Sequence, residues 1–303
     1  MSKLKFNPAL PLYTSDGTGW PLDQFDAAMA AVRQEGKPIV LFVHGRGKEP
    51  NKAIYGATFT EGKAIHKIEL GYGVRVLMFN WNSAFKGWSF LDREVPLSNT
   101  AAGAESLGKV LQQLAYYQNQ HGDQGKPAML VHSMGSIVVQ KAILSGHWPA
   151  VGSLFSSVLF SQPDADDVDH AAWLEALAQR ERTYVTMNKD DHVLRRSTDA
   201  RPEGAQALGL GTSEPLAPHA AYVDLSRMGP TGKKDEDHEV FAKGAMNGQI
   251  LVCRLFEQAL TGQPVRLELG DNVESVDRGV IHKLKSQFLP GAPCLKVPTL
   301  PEF

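Results

Sequence analysis

The sequence has little cysteine, no long apolar run and no excess of either charge. Its 303 residues include two cysteines, Cys253 and Cys294, and neither has the neighbour spacing of a metal site or a redox pair. No stretch approaches the roughly 18 apolar residues that a membrane-spanning helix needs. The 31 basic and 33 acidic residues nearly balance, so there is no electrostatic footprint for nucleic acid. We therefore expect no transmembrane segment and no nucleic-acid partner.

Motifs for metal ions and nucleotides are missing or incomplete. H-E-x-x-H does not occur, and the stretch GAESLGKV has Val110 where a P-loop requires Ser or Thr. The acidic run DADDVDH, residues 164–170, lacks the spacing of a calcium loop, so we interpret it as a turn that caps the helix carrying Trp173. The start, MSKLKFNPAL, lacks the apolar region of a signal peptide. We expect no metal, no cofactor and a cytoplasmic location.

What the sequence does contain is an alternation of apolar runs and helical patterns. Continuous runs rich in Val, Ile, Leu and Phe are typical of strands buried on both faces. They occur at 37–45, 74–81, 127–133, 154–162, 182–190 and 220–226. Helical patterns occur at 22–34, 100–118, 134–146, 170–182 and 238–260. This order predicts an α/β fold with a doubly wound, mostly parallel sheet and helices on both faces.

The chain contains no repeat and no clear linker, so the sequence predicts one domain over residues 1–303. Its core would span about 37–262, with extensions at 1–36 and 263–303 whose structure the pattern does not predict. Two connections, 82–99 and 195–219, are longer than most loops of a compact domain. Loops of this length are usually functional or mobile.

The stretch AMLVHSMGS, residues 128–136, ends a predicted strand on a hydroxyl and has Gly135 two residues later. A serine in a sharp turn between a strand and a helix exposes its Oγ and points the following backbone N–H groups at the atom that Oγ attacks. The helix N-terminus favours the negative charge that develops there. The pattern favours Ser133 as a nucleophile over a serine that only caps a strand.

This stretch resembles the nucleophile elbow, G-x-S-x-G, of the α/β-hydrolase superfamily, and is most similar to a bacterial subgroup with an HSMG elbow. The resemblance covers roughly residues 37–260, and Val131 stands where the motif has its first glycine. It implies an α/β-hydrolase fold and a serine hydrolase that cleaves carboxylic esters through an acyl-enzyme intermediate. A Ser-His-Asp triad would carry the chemistry without metal or cofactor, in the chain order serine, acid, histidine.

The resemblance also suggests which histidine would be the base. His238 lies in a polar loop that follows the last predicted strand and leads into a helix, the position of the family's catalytic histidine. His219 precedes that strand and His282 lies in the C-terminal extension, so both rank behind His238.

Three carboxylates follow strands after the elbow and compete for the role of the acid: Asp164, Asp190 and Asp191. The family has an Asp followed closely by a Leu and then a Ser. Asp191, with Leu194 and Ser197, matches this pattern. Asp191 is therefore the preferred acid and Asp164 the first alternative.

An earlier predicted strand ends in His44-Gly45, where the family has its other oxyanion loop. The resemblance implies that the backbone N–H of Arg46 or Gly47 is one oxyanion donor and that of Met134 the other. Removing one such donor typically costs roughly a hundredfold or more in rate. His44 would hold this loop by a hydrogen bond.

The aromatic-rich connection at 82–99 is the candidate for substrate binding. Phe85, Trp88, Phe90 and Leu91 would line an acyl pocket for a small-molecule or lipid ester. The same triad supports acyltransferase, amidase, thioesterase or C–C lyase chemistry, and a non-catalytic binding protein with this fold is a further alternative. The sequence does not predict the substrate, the acyl chain length or the oligomeric state.

Overall fold

The computed structural model describes residues 6–33, 35–46, 62–83, 93–122, 125–198, 201, 204–226, 237–241, 250–266, 273–276 and 281–284. The strands in these ranges are β1 Leu12–Thr14, β2 Gly19–Trp20, β3 Ile39–Val43, β4 Arg75–Phe79, β5 Ala128–His132, β6 Val158–Ser161, β7 Thr183–Met187, β8 Ala220–Asp224, β9 Val273–Val276 and β10 Ile281–Leu284. The α-helices are α1 Phe25–Arg33, α2 Gly62–Tyr72, α3 Glu94–Ser98, α4 Thr100–His121, α5 Gly135–Leu144, α6 His170–Ala178, α7 His192–Thr198 and α8 Ile250–Leu260.

The strands form one sheet in the order β2-β1-β4-β3-β5-β6-β7-β8-β10-β9. Neighbours from β4 through β10 are parallel. Antiparallel pairing occurs at the two edges, where β1 joins β4 and β2, and β9 joins β10. The protein therefore has the predicted doubly wound, mostly parallel α/β architecture.

Successive residues of the central strands pack into two separate hydrophobic cores. In β3, Leu41 and Val43 belong to the core that includes residues of α1, α4, α5 and α6, whereas Val40 and Phe42 belong to the core with residues of α2 and α8. Helices thus cover both faces of the sheet. Because neither face meets water, every residue of β3 is buried, and this is why such strands are continuous apolar runs in the sequence.

All six predicted strands are present, each shorter than its apolar run. The helices predicted at 100–118, 134–146 and 170–182 are α4, α5 and α6, and residues 22–34 contain a short 3-10 turn followed by α1. The pattern at 238–260 is a turn at its start and a helix over Ile250–Leu260, while 242–249 lie outside the described residues. The sequence patterns missed three helices: α2, α3 inside the predicted connection 82–99, and α7, which runs into the predicted connection 195–219. They also missed β1, β2, β9 and β10, which extend the sheet into both predicted extensions.

The strand order reverses beside β3, and this reversal positions the functional site. After β3 the chain forms β4 on one side and then returns to form β5 on the other. Ligands of such sheets bind outside the carboxyl ends of the strands at this switch point. His44 and Gly45 follow β3, and Ser133 follows β5. They therefore lie together at the crevice.

The described helices differ from membrane spans, and one of them carries a bonded cysteine. Within the described ranges, none of them combines the length and the apolarity that crossing a bilayer would require. Cys253 of α8 is buried and disulfide-bonded. The one other cysteine of the sequence, Cys294, lies outside the described residues.

Candidate active site

Ser133 lies in a strained turn between β5 and α5. Its φ of 51° is in the left-handed region, which side chains other than glycine rarely adopt. Gly135 makes the turn possible, because the Cβ of any other residue there would lie 2.7 Å from the carbonyl oxygen of His44 and 2.8 Å from that of Val43. The sharp strand-turn-helix geometry expected from the sequence is therefore present.

The valine that replaces the first glycine of the motif is accommodated inside the sheet. Val131 pairs with Val43 of β3 and Phe160 of β6, and it is fully buried in the core. It is an interior residue of β5, two positions before the turn. The departure from the motif therefore does not prevent Ser133 from adopting its left-handed conformation.

The carbonyl oxygen of Ser133 is the acceptor that fixes the elbow. The Ser136 hydroxyl donates to it at 2.7 Å, and the Asp164 backbone N–H donates to it at 3.0 Å. The Ser136 Oγ in turn accepts the Ala165 N–H at 2.8 Å. These bonds tie the start of α5 to the loop after β6, so the elbow conformation is determined from both sides.

The His44-Gly45 turn lies directly against Ser133. A Cβ at position 45 would lie only 2.7 Å from the Ser133 Cβ, so glycine allows this approach. His44 Nδ1–H donates to the Gly45 carbonyl at 2.9 Å, and the Trp81 indole N–H donates to the His44 carbonyl at 2.8 Å. The two rings stack with centroids 5.8 Å apart. Burial lowers the pKa of His44, which keeps the ring neutral.

The two proposed oxyanion residues flank this contact. Met134 is buried and directly precedes α5, and no acceptor in the described part of the chain lies within bonding distance of its backbone N–H. Arg46 directly follows Gly45 and is partly buried. Gly47, the alternative to Arg46, lies outside the described residues.

His238 and Asp191 come together from distant parts of the chain. The ring Nδ1–H of His238 donates to Asp191 Oδ2 at 2.7 Å. The other oxygen of the fully buried Asp191 accepts the N–H groups of Val193 and Leu194, both at 2.9 Å, at the start of α7. Because the ring proton is held on Nδ1, the neutral imidazole keeps the lone pair of Nε2 for a proton acceptor role.

The surroundings of His238 favour its charged form. Burial alone would lower the pKa of the imidazole, but the negative charge of Asp191 and its hydrogen bond to the ring outweigh burial. Glu239 and Asp164 add further attraction for the proton. The pKa of His238 is therefore raised above the ordinary value of histidine.

Asp164 and Asp190 have other partners. The carboxylate of Asp164 accepts Arg201 Nη2 at 2.7 Å, and the Nε of Arg93 lies 3.6 Å from its second oxygen. Burial would raise the pKa of Asp164, but the two guanidinium groups lower it overall. Asp190 instead lies 3.2 Å from Arg195 at the surface. Among the three candidates, Asp191 is the one whose carboxylate bonds to His238.

The competing histidines lie away from this cluster. His219 bonds to Glu175 on the surface. His282 is in β10, four strands from β5 in the sheet order, or roughly 19 Å at the usual strand spacing. The expected acyl-pocket residues lie outside the described residues: Phe85, Trp88, Phe90 and Leu91.

The acidic run at 164–170 does not cap its helix as expected, and this prediction is wrong. Asp169 occupies the position before α6 in a left-handed conformation and makes no capping side-chain bond. Asp167 instead accepts the Gln206 backbone N–H, and Asp166 pairs with Arg201. Among the described residues, no group of three or more His, Cys, Asp or Glu side chains is placed to hold a metal ion.

No sequence pattern indicated the partners of Asp164 or the residue that packs on His238. Arg201 and Arg93 lie 37 and 71 positions from Asp164 along the chain, so no local pattern links them. His132, which directly precedes Ser133, contacts His238 with ring centroids 4.7 Å apart. The position of His132 inside the elbow motif was the one sequence feature that could have indicated a role near the site.

The family "Alpha/beta hydrolase of unknown function (DUF900)" matches residues 24–217, more than half of the chain. The chain belongs to this family. Membership agrees with the parallel sheet and with the elbow at its switch point. No curated protein matches the sequence. Among solved structures, carboxyl esterase 2 (TmelEST2) from the mycorrhizal fungus Tuber melanosporum is similar with 14% identity and a TM-score of 0.36, over 74% of this chain and 79% of that one.

Proposed function

We propose that this α/β hydrolase is a serine hydrolase that cleaves carboxylic esters with Ser133, His238 and Asp191 as its triad. The observation that carries the proposal is the 2.7 Å hydrogen bond from His238 to the buried Asp191. Asp191 follows β7 and Ser133 follows β5 in a left-handed turn, so both lie beyond the carboxyl ends of the parallel strands. A serine is a weak nucleophile at neutral pH, and a histidine oriented by a carboxylate is what activates it.

In the acylation step, Ser133 Oγ attacks the ester carbonyl carbon while His238 Nε2 takes its proton. Asp191 stabilises the imidazolium that forms and holds the tautomer with the proton on Nδ1. The tetrahedral intermediate then expels the alcohol, which receives the proton from His238 Nε2. The product of this half-reaction is an ester between the acyl group and Ser133.

In the deacylation step, water replaces the alcohol. His238 takes a proton from the attacking water and returns it to Ser133 Oγ when the acyl group leaves as a carboxylic acid. The charge on the carbonyl oxygen develops twice, once in each half-reaction. The backbone N–H groups of Met134 and Arg46 are the proposed donors to this oxygen, and their position beside Ser133 supports the assignment.

The proposed substrate is a small-molecule or lipid ester, with Phe85, Trp88 and Phe90 as proposed pocket residues. A single sheet that contains strands from Leu12 to Leu284 supports one domain over 1–303. The cytoplasmic location stays a prediction from the sequence, and the disulfide at Cys253 counts against it, because disulfides are rare in the cytosol.

A fluorophosphonate probe and a series of p-nitrophenyl esters of graded acyl length test the proposal. The wild-type protein should be labelled covalently and should hydrolyse at least one ester, because both reactions need an activated serine. Ser133→Ala should abolish both and keep the fold, since only Oγ is removed. Ser145→Ala, a change at an exposed serine, is the matched control and should behave as wild type.

Each other outcome identifies a different function. Labelling that persists in Ser133→Ala would mean that another residue is the nucleophile. A wild-type protein that is neither labelled nor active would favour a non-catalytic binding protein. Labelling without ester hydrolysis would point to acyltransferase, amidase, thioesterase or lyase chemistry on the same triad.

A further inference from the structure

The short segment that carries His238, residues 237–241, is held at its backbone carbonyls by side chains from three separate parts of the chain. Each bond joins a side-chain donor to a carbonyl oxygen within residues 237–241. The donor and acceptor pairs are Tyr72 OH to Phe241 at 2.8 Å, His132 Nε2 to His238 at 3.2 Å and Asn188 Nδ2 to Asp237 at 3.4 Å. Three of the five carbonyls of the segment are therefore bonded to side chains, although the segment begins as a turn.

Of these three donors, His132 acts on the candidate base itself. Its Nε2–H bonds to the carbonyl of His238, and the two rings pack with centroids 4.7 Å apart. The ring of Phe241 packs on it at 4.9 Å. His132 is 8% exposed and is the last residue of β5, directly before Ser133. One buried side chain thus links the nucleophile's strand to the base.

The geometry also explains why a histidine suits this position. A carbonyl can only accept, so the Nε2 of His132 carries the proton of this hydrogen bond. The other ring nitrogen, Nδ1, lies on the side of the His44-Gly45 turn, 3.2 Å from the position that a Cβ on Gly45 would take. A leucine would fill part of the space but would leave the buried carbonyl of His238 without this donor. The ring of His238 would then lose one constraint on its position relative to Ser133.

We propose that His132 is a positioning residue that sets the place of the His238 ring between Ser133 and Asp191. The inference rests on the proposed triad, because it concerns the base of that triad. Catalysis depends steeply on such placement, since an error of about 1 Å costs on the order of a hundredfold in rate. Asp191 fixes the ring at Nδ1, and His132 fixes the backbone from which the ring extends.

The test compares His132→Leu and His132→Gln in ester hydrolysis. For His132→Leu we expect kcat to fall roughly ten- to hundredfold, as for other residues that orient a catalytic group, with KM changed less than about threefold. The amide nitrogen of glutamine reaches close to the place of Nε2, so His132→Gln should recover a large part of the lost kcat.

Tyr72→Phe is the matched control. It removes a buried donor to the same segment, three residues from His238, and keeps a ring that stacks on Phe256. It should lower the melting temperature while kcat stays within about threefold of wild type. Nitrogen NMR of labelled histidine gives a readout that does not depend on activity: the Nδ1–H signal of His238 should persist in Tyr72→Phe and broaden in His132→Leu.

The outcomes separate this inference from the triad proposal. If wild type hydrolyses esters and folded His132→Leu keeps full kcat, the positioning role is wrong and the triad stands. If His132→Leu, His132→Gln and Tyr72→Phe lose kcat equally, His132 only anchors the segment and the inference is overturned. If wild type is neither labelled nor active, the triad proposal fails. The NMR difference then decides alone: its presence supports the positioning role and its absence overturns it.

Discussion

At the scale of single residues, two adjacent carboxylates have opposite surroundings. Asp191 is fully buried and bonds to His238, whereas Asp190 is partly exposed and pairs with Arg195. Asp191→Asn would favour the tautomer with the proton on the wrong nitrogen, a change that costs about ten-thousandfold in kcat in a well-studied triad. We expect a loss of this size for Asp191→Asn in ester hydrolysis.

Asp190→Asn is the control for that substitution, because it makes the same chemical change one residue away. It should keep at least about a tenth of the activity, since Asp190 does not contact the base. Asp164→Asn should also keep at least about that much kcat in the folded fraction. If Asp164→Asn is inactive and Asp191→Asn is active, the acid of the triad is Asp164, and the proposed roles of Ser133 and His238 are unchanged.

The raised pKa of His238 predicts the pH dependence of activity. The base must be neutral in the free enzyme, so kcat/KM should rise with pH through an apparent pKa above the ordinary 6.5 of histidine and then level off. A rise centred below that value would contradict the arrangement around His238. Chelators should leave the profile unchanged.

The same shift predicts how His238 contributes to stability. A histidine whose pKa is raised by folding stabilises the native state fully below its unfolded pKa, and this contribution is lost as pH rises through the folded pKa. We therefore expect wild type to exceed His238→Gln in melting temperature most at about pH 5, with the difference shrinking towards about pH 9. A difference that grows with pH would contradict the sign of the shift.

At the scale of elements, α7 is held at both ends. Asp191 bonds to its first N–H groups, and near its other end Ser197 bonds to Asp164 and Arg201. The side chain of Arg201 is fully buried, so Arg201→Gln leaves the buried Asp164 short of a partner. Such a loss typically costs about 3–5 kcal/mol of unfolding free energy. Denaturant unfolding measures it.

Arg195→Gln on the same helix is the matched control. Arg195 is 51% exposed and its partner Asp190 is at the surface, so this pair contributes about 0–1 kcal/mol. If Arg201→Gln and Arg195→Gln lower the unfolding free energy equally, burial does not make the Asp164–Arg201 pair more stabilising than the surface pair. Because α7 carries the bonds to Asp191, we also expect Arg201→Gln to lower kcat.

The sequence predicted the central elements because their burial leaves a plain pattern. Strands such as β3 and β5 are apolar at every position since helices cover both faces. The missed strands β1, β2, β9 and β10 are two to four residues long and lie at or near the sheet edges, where short segments leave no periodicity to detect. Of the missed helices, α2 has two glycines, at positions 62 and 71, which weaken a helical pattern, and α3 and α7 are only five and seven residues long.

The candidate site shows the same division between local and distant signals. Ser133 could be identified as a candidate nucleophile because its strand, turn and glycine are contiguous in the sequence. His238 and Asp191 needed the family's chain order, since 47 positions separate them. The partners of Asp164 and the contact from His132 to His238 could not be predicted, because they depend on which loops the fold brings together at the carboxyl ends of the strands.

At the scale of the whole molecule, the disulfide at Cys253 predicts a redox-dependent stability. Thiol labelling of denatured, unreduced protein should find no free cysteine, and labelling after reduction should find both cysteines of the sequence. Breaking a disulfide typically costs about 2–4 kcal/mol, so reduction should lower the melting temperature. Two free thiols in protein isolated without reductant would contradict the disulfide and support the cytoplasmic location.

The two oxygens of Asp191 serve different elements, one the start of α7 and the other the ring of His238. A seven-residue helix is too short to persist alone in water, so α7 depends on its tethers. Fraying of the first turn of α7 would release the Asp191 carboxylate from the imidazole of His238, while the sheet and Ser133, which follows β5, stayed in place. With Asp191 as the acid of the proposed triad, ester hydrolysis should therefore stop on warming before the protein melts, and cooling should restore it. The upper temperature limit of its activity would then be set by the first turn of α7 and not by the hydrophobic core.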